Sequence, residues 1–209
     1  MRIALALVAA VAALALPAAA FAHVTVHPNA LPSGAEGVMT IDVPNELAGP
    51  ATTKVDVKFP AGFVDVSPEA IPGWKVTVTF RKSAKPLTMD GVKHTTEVDQ
   101  VIWSSKTGIA KGQFMQFPIL ASAPEAKTGT LLTFKALQTY ANGKVVRWIG
   151  SPGTDTPAPQ VVVKAANAPA QDFPAGVSAA KTMSTMHVAG AALLGLLGVG
   201  GLALYRRRR

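Results

Sequence analysis

The sequence predicts an all-β fold, an antiparallel sandwich of two sheets, for the part of the chain between residues 23 and 164. Short runs rich in β-branched and aromatic residues recur there, several of them alternate between apolar and polar side chains, and Gly, Pro and Asn separate them. No stretch of comparable length keeps a helical period. An immunoglobulin-like topology is the expected arrangement, and a jelly roll is the alternative.

Nine runs carry this pattern. In the third of them, Val55, Val57 and Phe59 alternate with charged residues, so one face of the strand is expected to be buried and the other solvated. In chain order, the predicted strands cover residues 24–26, 38–43, 53–59, 74–80, 100–104, 113–120, 131–140, 145–149 and 161–163.

Turn residues separate these runs at the expected places. Pro72-Gly73 precedes the fourth run, Gly91 follows an aspartate between the fourth and fifth, and Asn142-Gly143 connects the seventh to the eighth. Gly and Asn adopt the backbone angles that tight hairpin turns require. The turns therefore support the strand assignment.

The first 22 residues have the pattern of a secretory signal peptide. A basic residue, Arg2, precedes an apolar stretch, and the segment ends in the small-residue sequence Ala-Phe-Ala at position 22. Cleavage after Ala22 is expected to leave His23 as the first residue of the mature chain. A retained N-terminal membrane anchor is the alternative.

The other end of the chain is predicted to anchor it in a membrane. Residues 188–205 carry no charge over 18 positions, which is long enough to cross a bilayer as a helix, and residues 206–209 are four arginines. Arginines of this kind stay on the cytoplasmic side. The folded domain, residues 23–164, is therefore expected on the extracytoplasmic face of a single-pass cell-membrane protein, joined to its anchor by a flexible linker of residues 165–187.

Charge and composition exclude several classes of function. The net charge is +8, but five of the 20 basic residues lie in the two terminal segments, so 15 basic residues face 12 acidic ones in between. No basic stripe remains there, and nucleic acid is not an expected partner. The chain has no cysteine, which excludes disulfides, thiolate catalysis and thiolate metal sites.

Few residues form a pattern typical of catalysis. The sequence contains no glycine-rich phosphate loop, no nucleophile elbow and no zinc-protease helix. His27 lies about 13 Å from His23 if the strand is straight, and it is expected to be a surface residue. His94 falls in a polar hairpin, and His187 precedes the apolar C-terminal segment. Trp74 and Trp103 are expected to pack in the core or against a turn.

His23 is different because cleavage would make it the first residue. A terminal histidine offers its α-amine and its ring nitrogen Nδ1, which can chelate one metal ion. Among first-row divalent ions, Cu(II) binds such nitrogen pairs most strongly. The alternative is that processing leaves a histidine there without a function.

Four segments together resemble one protein family. They are His23-Val24-Thr25-Val26, Pro72-Gly73-Trp74, Gly112-Gln113-Phe114-Met115-Gln116-Phe117, and the run from Gln138 to Trp148. In these segments the chain resembles the YcnI-like family (the DUF1775 domain) of exported bacterial copper-binding proteins. The resemblance extends from residue 23 to about residue 163, and the anchored architecture is also similar.

This resemblance implies a β-sandwich that binds Cu(II) through a single-histidine brace. The family's ligands would correspond to the amine and ring of His23 and to a glutamate whose position is occupied here by Gln116, with Trp148 close to the metal. A neutral amide is a weaker ligand than a carboxylate. Gln113 is the other nearby amide, and Glu97 and Asp99 are candidate replacements for the missing carboxylate.

The expected function is therefore non-enzymatic copper storage, delivery or homeostasis. The expected partners are the copper ion, the cytoplasmic membrane and a copper chaperone or transporter. Two alternatives stay open: a metal-free interaction module, and a copper-dependent oxidative enzyme. The enzyme would need a second histidine, and only His27 or His94 could supply it.

Overall fold

The structure is a computed structural model that describes residues 23–46 and 49–172. The predicted signal peptide, the predicted membrane helix, the four C-terminal arginines and most of the predicted linker lie outside these residues. The described part of the chain contains strands, turns and loops but no helix, so it includes no helix long enough to span a bilayer.

The described residues contain twelve strands. They are β1 (Thr25–His27), β2 (Ala30–Pro32), β3 (Glu36–Pro44), β4 (Thr52–Lys58), β5 (Val66–Pro68), β6 (Trp74–Met89), β7 (Val92–Ile109), β8 (Phe114–Ser122), β9 (Leu131–Thr133), β10 (Lys135–Tyr140), β11 (Val145–Trp148) and β12 (Gln160–Lys164). The all-β prediction is confirmed.

The strands form three sheets, where the sequence predicts two. The first sheet has the order β1-β3-β8-β5, and the second has the order β11-β10-β4-β7-β6. The additional small sheet, β2-β12-β9, contains a parallel pair, β2 with β12. Its members β2 and β9 have three residues each, too few for a recognisable alternation.

The core lies between the two larger sheets. Val55 and Val57 of β4 are buried, and Trp103 of β7 packs against Phe117 of β8 with 5.0 Å between the ring centroids. Trp74 of β6 also contacts Phe117, edge to face. Burial of each such large side chain contributes about 1.5–3 kcal/mol. Trp103 thus lies in the core, and the partly buried Trp74 packs against it.

The strands differ most from the sequence prediction in two places. The run 131–140 is split at Phe134, whose backbone N–H donates to the carbonyl of Pro159, so that β9 and β10 belong to different sheets. The β6–β7 hairpin is much longer than predicted, and its register shifts between Lys82 and Leu87. The sequence does not predict this extension, because basic residues and a proline interrupt the alternating pattern there.

The chain beyond β12 remains on the domain surface as far as it is described. The backbones of Gln171 and Ala30 form a pair of hydrogen bonds, 3.0 and 3.1 Å long. The Asp172 carboxylate accepts hydrogen bonds from the backbone N–H of Asn29 and from the ring Nδ1 of His27, both 2.9 Å. Residues 171 and 172 therefore contact the segment that follows β1.

Candidate metal site

His23 lies two residues before β1 and is half-buried. Its ring packs edge-on against the indole of Trp148, with 5.8 Å between centroids and 69° between planes. Trp148 is the last residue of β11 and is buried. The structure thus brings together two of the residues that the sequence singles out, His23 and Trp148.

A buried amide holds the indole in place. Trp148 Nε1 donates to Gln138 Oε1 over 3.0 Å, and Gln138 Nε2 donates to the Pro44 carbonyl over 2.7 Å and to Thr52 Oγ1 over 2.8 Å. Because Gln138 is only 1% exposed, these partners replace water for its polar atoms. The indole N–H therefore points to Gln138, and the edge of the tryptophan is fixed beside His23.

A cavity of about 400 Å³ opens next to His23. Two carboxylates and two side-chain amides line it together with the histidine, and an exposed aromatic ring contributes to its wall. Its lining residues are His23, Asp42, Pro44, Asn45, Glu46, Gly112, Gln113 and Phe114. Imidazole and carboxylate are ligands that suit Cu(II).

Asp42 enters this cavity because of the alternation of β3. Ile41 and Val43 are buried in the core, so Asp42 between them points outward. It lies opposite Thr25 on one side and Gln116 on the other. Gln116 Nε2 donates to both carboxylate oxygens, at 3.3 Å each.

The carboxylate of Asp42 has no Lys or Arg ion pair within the described ranges. Burial raises the pKa of Asp42 above its ordinary value, and the hydrogen bond from Gln116 and the neighbouring His27 only partly oppose this. The ionised form of Asp42 is therefore destabilised by its surroundings. A bound cation would reduce this destabilisation.

Asn45 connects the walls of the cavity. Its side-chain Nδ2 donates to the carbonyls of Pro50 and Ile109, at 3.0 and 2.8 Å. Its backbone N–H donates to the Gln113 carbonyl, and its carbonyl accepts from Gly112, both at 2.8 Å. These bonds hold the loop after β3 against the turn before β8.

The two glutamines lie in different places. Gln116 is on the outer face of β8, where it contacts Asp42 but is not among the residues that line the cavity. Gln113 precedes β8 and does line it. The carboxylates of Asp42 and Glu46 were not identified from the sequence. Their proximity depends on the register of β1, β3 and β8, which no local pattern reveals.

Glu97 and Asp99 are engaged elsewhere. Arg81 donates to both carboxylates, with each distance 2.9 Å, and Lys58 lies 3.4 Å from Asp99. Lys58 is at the opposite end of β4 from Thr52, six residues and thus roughly 20 Å away. The structure therefore does not support these two acids as replacements for the carboxylate beside His23.

The remaining histidines of the described chain are not among the residues that line the cavity. His27 has both ring nitrogens engaged, Nδ1 with Asp172 at 2.9 Å and Nε2 with Thr25 Oγ1 at 3.0 Å. His94 lies in the β6–β7 hairpin, opposite Leu87. Among the residues that the structure describes, no three His, Asp or Glu side chains form a group suited to hold a metal ion.

Comparison with curated proteins identifies a relative that is described as binding copper. The copper-binding protein CutI of Bacillus subtilis (strain 168) is 35% identical over 141 residues, which are 67% of this chain and 61% of CutI. The chain thus matches less than two thirds of the length of that relative.

A solved structure supports the immunoglobulin-like expectation. An uncharacterized protein from Nocardia farcinica, described as having an immunoglobulin-like fold, is 28% identical with a TM-score of 0.54, over 68% of this chain and 97% of that one. The model of the family described as "Domain of unknown function (DUF1775)" matches residues 23–163. The resemblance seen in the sequence is confirmed, and the chain belongs to the DUF1775 family.

Proposed function

We propose that this protein binds one Cu(II) ion through the α-amine and ring of His23, with a carboxylate from the adjacent cavity completing the set. The observation that carries the proposal is the position of His23 between Trp148 and a cavity with two carboxylates. The name of the relative CutI, a copper-binding protein, supports copper as the metal.

The ligand set fits Cu(II) chemically. The amine and imidazole of a terminal histidine supply two nitrogens from one residue, and a carboxylate adds an oxygen, a combination that Cu(II) accepts readily. Side chains alone do not offer three such groups in the described part of the chain. The free terminus is therefore central to the proposal, and it arises only if cleavage occurs before His23.

Asp42 is the carboxylate we assign to the metal, with Glu46 as the second acid of the cavity. Gln116 then acts indirectly, because its amide N–H groups orient Asp42 rather than contact the ion. Trp148 covers one edge of the imidazole, which limits access of water to that side of the ring.

The proposal also includes a cellular location and a role in copper handling. The N-terminal segment and the apolar C-terminal segment fit an exported domain held at the outer face of the cytoplasmic membrane. One histidine ring suits a protein that holds copper for storage or delivery more than one that oxidises a substrate. Exchange with a copper chaperone or transporter is the corresponding role.

Copper titration of the processed full-length protein tests this function. We expect one Cu(II) per chain, with an electron paramagnetic resonance spectrum that shows nitrogen coupling. Binding should weaken as the pH falls, since protons compete for the ligand nitrogens. Absence of stoichiometric binding by a chain that begins at His23 would contradict the proposal.

A further inference from the structure

We propose that Gln138 is a positioning residue of the copper site. Its amide connects the indole that packs on His23 to the backbone of the cavity wall that carries the carboxylates. This inference rests on the proposed function. It assigns to the site a residue that does not line the cavity and cannot touch the ion directly.

The position of Gln138 in β10 is one where an apolar residue is expected. The strand buries alternate side chains, and the neighbours of Gln138 on that face are Ala136 and Tyr140. A glutamine there must satisfy its amide without water, because an unpaired buried polar group costs about 1–3 kcal/mol. Both of its N–H groups donate, and its oxygen accepts from Trp148.

The partners of this amide belong to different parts of the sandwich. Trp148 is on β11 of the five-stranded sheet, whereas Pro44 ends β3 of the facing four-stranded sheet. Pro44 also lines the cavity and lies between Asp42 and Glu46 in sequence. One side chain therefore fixes the distance between the support of the His23 ring and the wall that bears the carboxylates.

This arrangement has a specific consequence for copper. Residues that orient metal ligands without touching the metal typically change the affinity 10–100-fold when they are replaced. In Gln138→Met the indole loses its acceptor and Pro44 its donor, while the side-chain volume changes little. We expect Cu(II) affinity to fall roughly tenfold or more, and the hyperfine coupling of the bound ion to change.

The experiment compares Cu(II) affinity and electron paramagnetic resonance spectra of processed full-length variants. Gln100→Met, a half-buried glutamine of β7 near the opposite end of β4, is the matched control and should bind copper like the wild type. Gln138→Glu provides a second variant that keeps an acceptor for Trp148 but places a carboxylate against the Pro44 carbonyl. It should also bind more weakly, with a shifted spectrum.

A double-mutant cycle with Trp148→Phe tests the route through the indole. If Gln138 acts partly through Trp148, the two substitutions together should cost less affinity than the sum of their separate costs. A copper-free readout is the indole N–H resonance of Trp148, which should move when Gln138 is replaced by Met.

The results separate this inference from the proposed function. Wild-type copper binding with unchanged affinity and spectrum in both Gln138 variants would overturn the positioning role and leave the copper site intact. If the wild type itself binds no copper, the proposed function fails. In either case, an indole N–H resonance that does not move in Gln138→Met would contradict the hydrogen bond between Trp148 and Gln138.

Discussion

The two ends of strand β4 both lie near acidic side chains, but these carboxylates have different partners at the two ends. At the Lys58 end, Glu97 and Asp99 share the guanidinium of Arg81, and Glu97 also accepts from the backbone N–H of Gly62 at 2.8 Å. At the Thr52 end, the Asp42 carboxylate in the cavity beside His23 has only neutral Gln116 as a hydrogen-bond donor in the described residues.

The pKa shifts of Asp99 and Asp42 follow from this difference. The hydrogen bond from Arg81 holds the pKa of Asp99 below its ordinary value, and Lys58 acts in the same direction against a smaller effect of burial. Burial instead raises the pKa of Asp42. Asp99 at the Lys58 end therefore stabilises the fold, whereas Asp42 beside the cavity costs folding free energy and remains available to a cation.

Removing the cation at the Lys58 end should have the largest effect on stability. Arg81→Met leaves Glu97, whose side chain is 6% exposed, as a buried charge that keeps the Gly62 N–H but loses its cation. We expect the free energy of unfolding to fall by about 3–5 kcal/mol, the usual cost of breaking a buried pair. Urea denaturation measures this loss.

Lys75→Met on the same strand is the control, because Lys75 is exposed and should change stability by less than about 0.5 kcal/mol. Folded Arg81→Met protein should still bind copper with wild-type affinity. A large loss of affinity in the folded variant would show that the two ends are coupled, contrary to the comparison.

The opposite pattern is expected at Asp42. Asp42→Asn removes the proposed copper ligand but keeps an oxygen that Gln116 can donate to. Cu(II) affinity should fall roughly tenfold or more, while the unfolding free energy of the copper-free protein at neutral pH stays the same or rises slightly. Competition titration and urea denaturation give the two quantities.

Asp155→Asn, on an exposed turn, is the matched control for Asp42→Asn and should change neither quantity. Wild-type affinity in Asp42→Asn would move the carboxylate assignment to Glu46, and Glu46→Gln would then be the variant that loses copper.

Gln116→Glu sharpens the comparison by adding a charge. The new carboxylate lies directly opposite Asp42 across the strand pair, so the copper-free protein should lose up to about 1 kcal/mol of stability from like-charge repulsion. Bound Cu(II) relieves this repulsion, and affinity should rise. Gln113→Glu, in the cavity but not opposite Asp42, should not cause the same loss of stability. Equal stability of the wild type and Gln116→Glu would contradict the observed register.

The smallest effect is the pH dependence at Asp99. Because its pKa is lower in the folded than in the unfolded state, Asp99 stabilises the protein above the unfolded-state pKa of about 3.9, and this contribution disappears as the pH falls through the folded value. The difference in Tm between the wild type and Asp99→Asn should therefore be full at pH 6 and shrink below about pH 4. A difference that stays constant to pH 3 would contradict the pairing with Arg81.

Local patterns were sufficient for most of the fold. Alternation in β3, β4 and β8 and the Gly-containing turns gave the main strands, because one buried face imposes period two on the sequence. Strands β2 and β5, three residues each and both with a proline, carry no such pattern. The extension of β6 and β7 is largely solvated, so burial does not select its residues.

The site was only partly predictable from the sequence. His23 stands out through the predicted cleavage signal, and Trp148 through the family resemblance. Asp42 and Gln138 depend instead on cross-strand register and on packing between sheets, and both are long-range properties. A polar residue at an otherwise apolar alternating position, as at Gln138, is the one local signal that indicates a buried hydrogen-bond network.

The role of the free α-amine of His23 is the central claim, and one added residue tests it. A processed protein that begins at His23 is compared with an otherwise identical chain carrying one alanine before it, by Cu(II) competition titration and electron paramagnetic resonance. The extra residue leaves the ring, Trp148 and the cavity unchanged but turns the amine into a peptide nitrogen. We predict loss of most of the affinity and a changed spectrum. Equal affinity and an identical spectrum for the two chains would contradict the account.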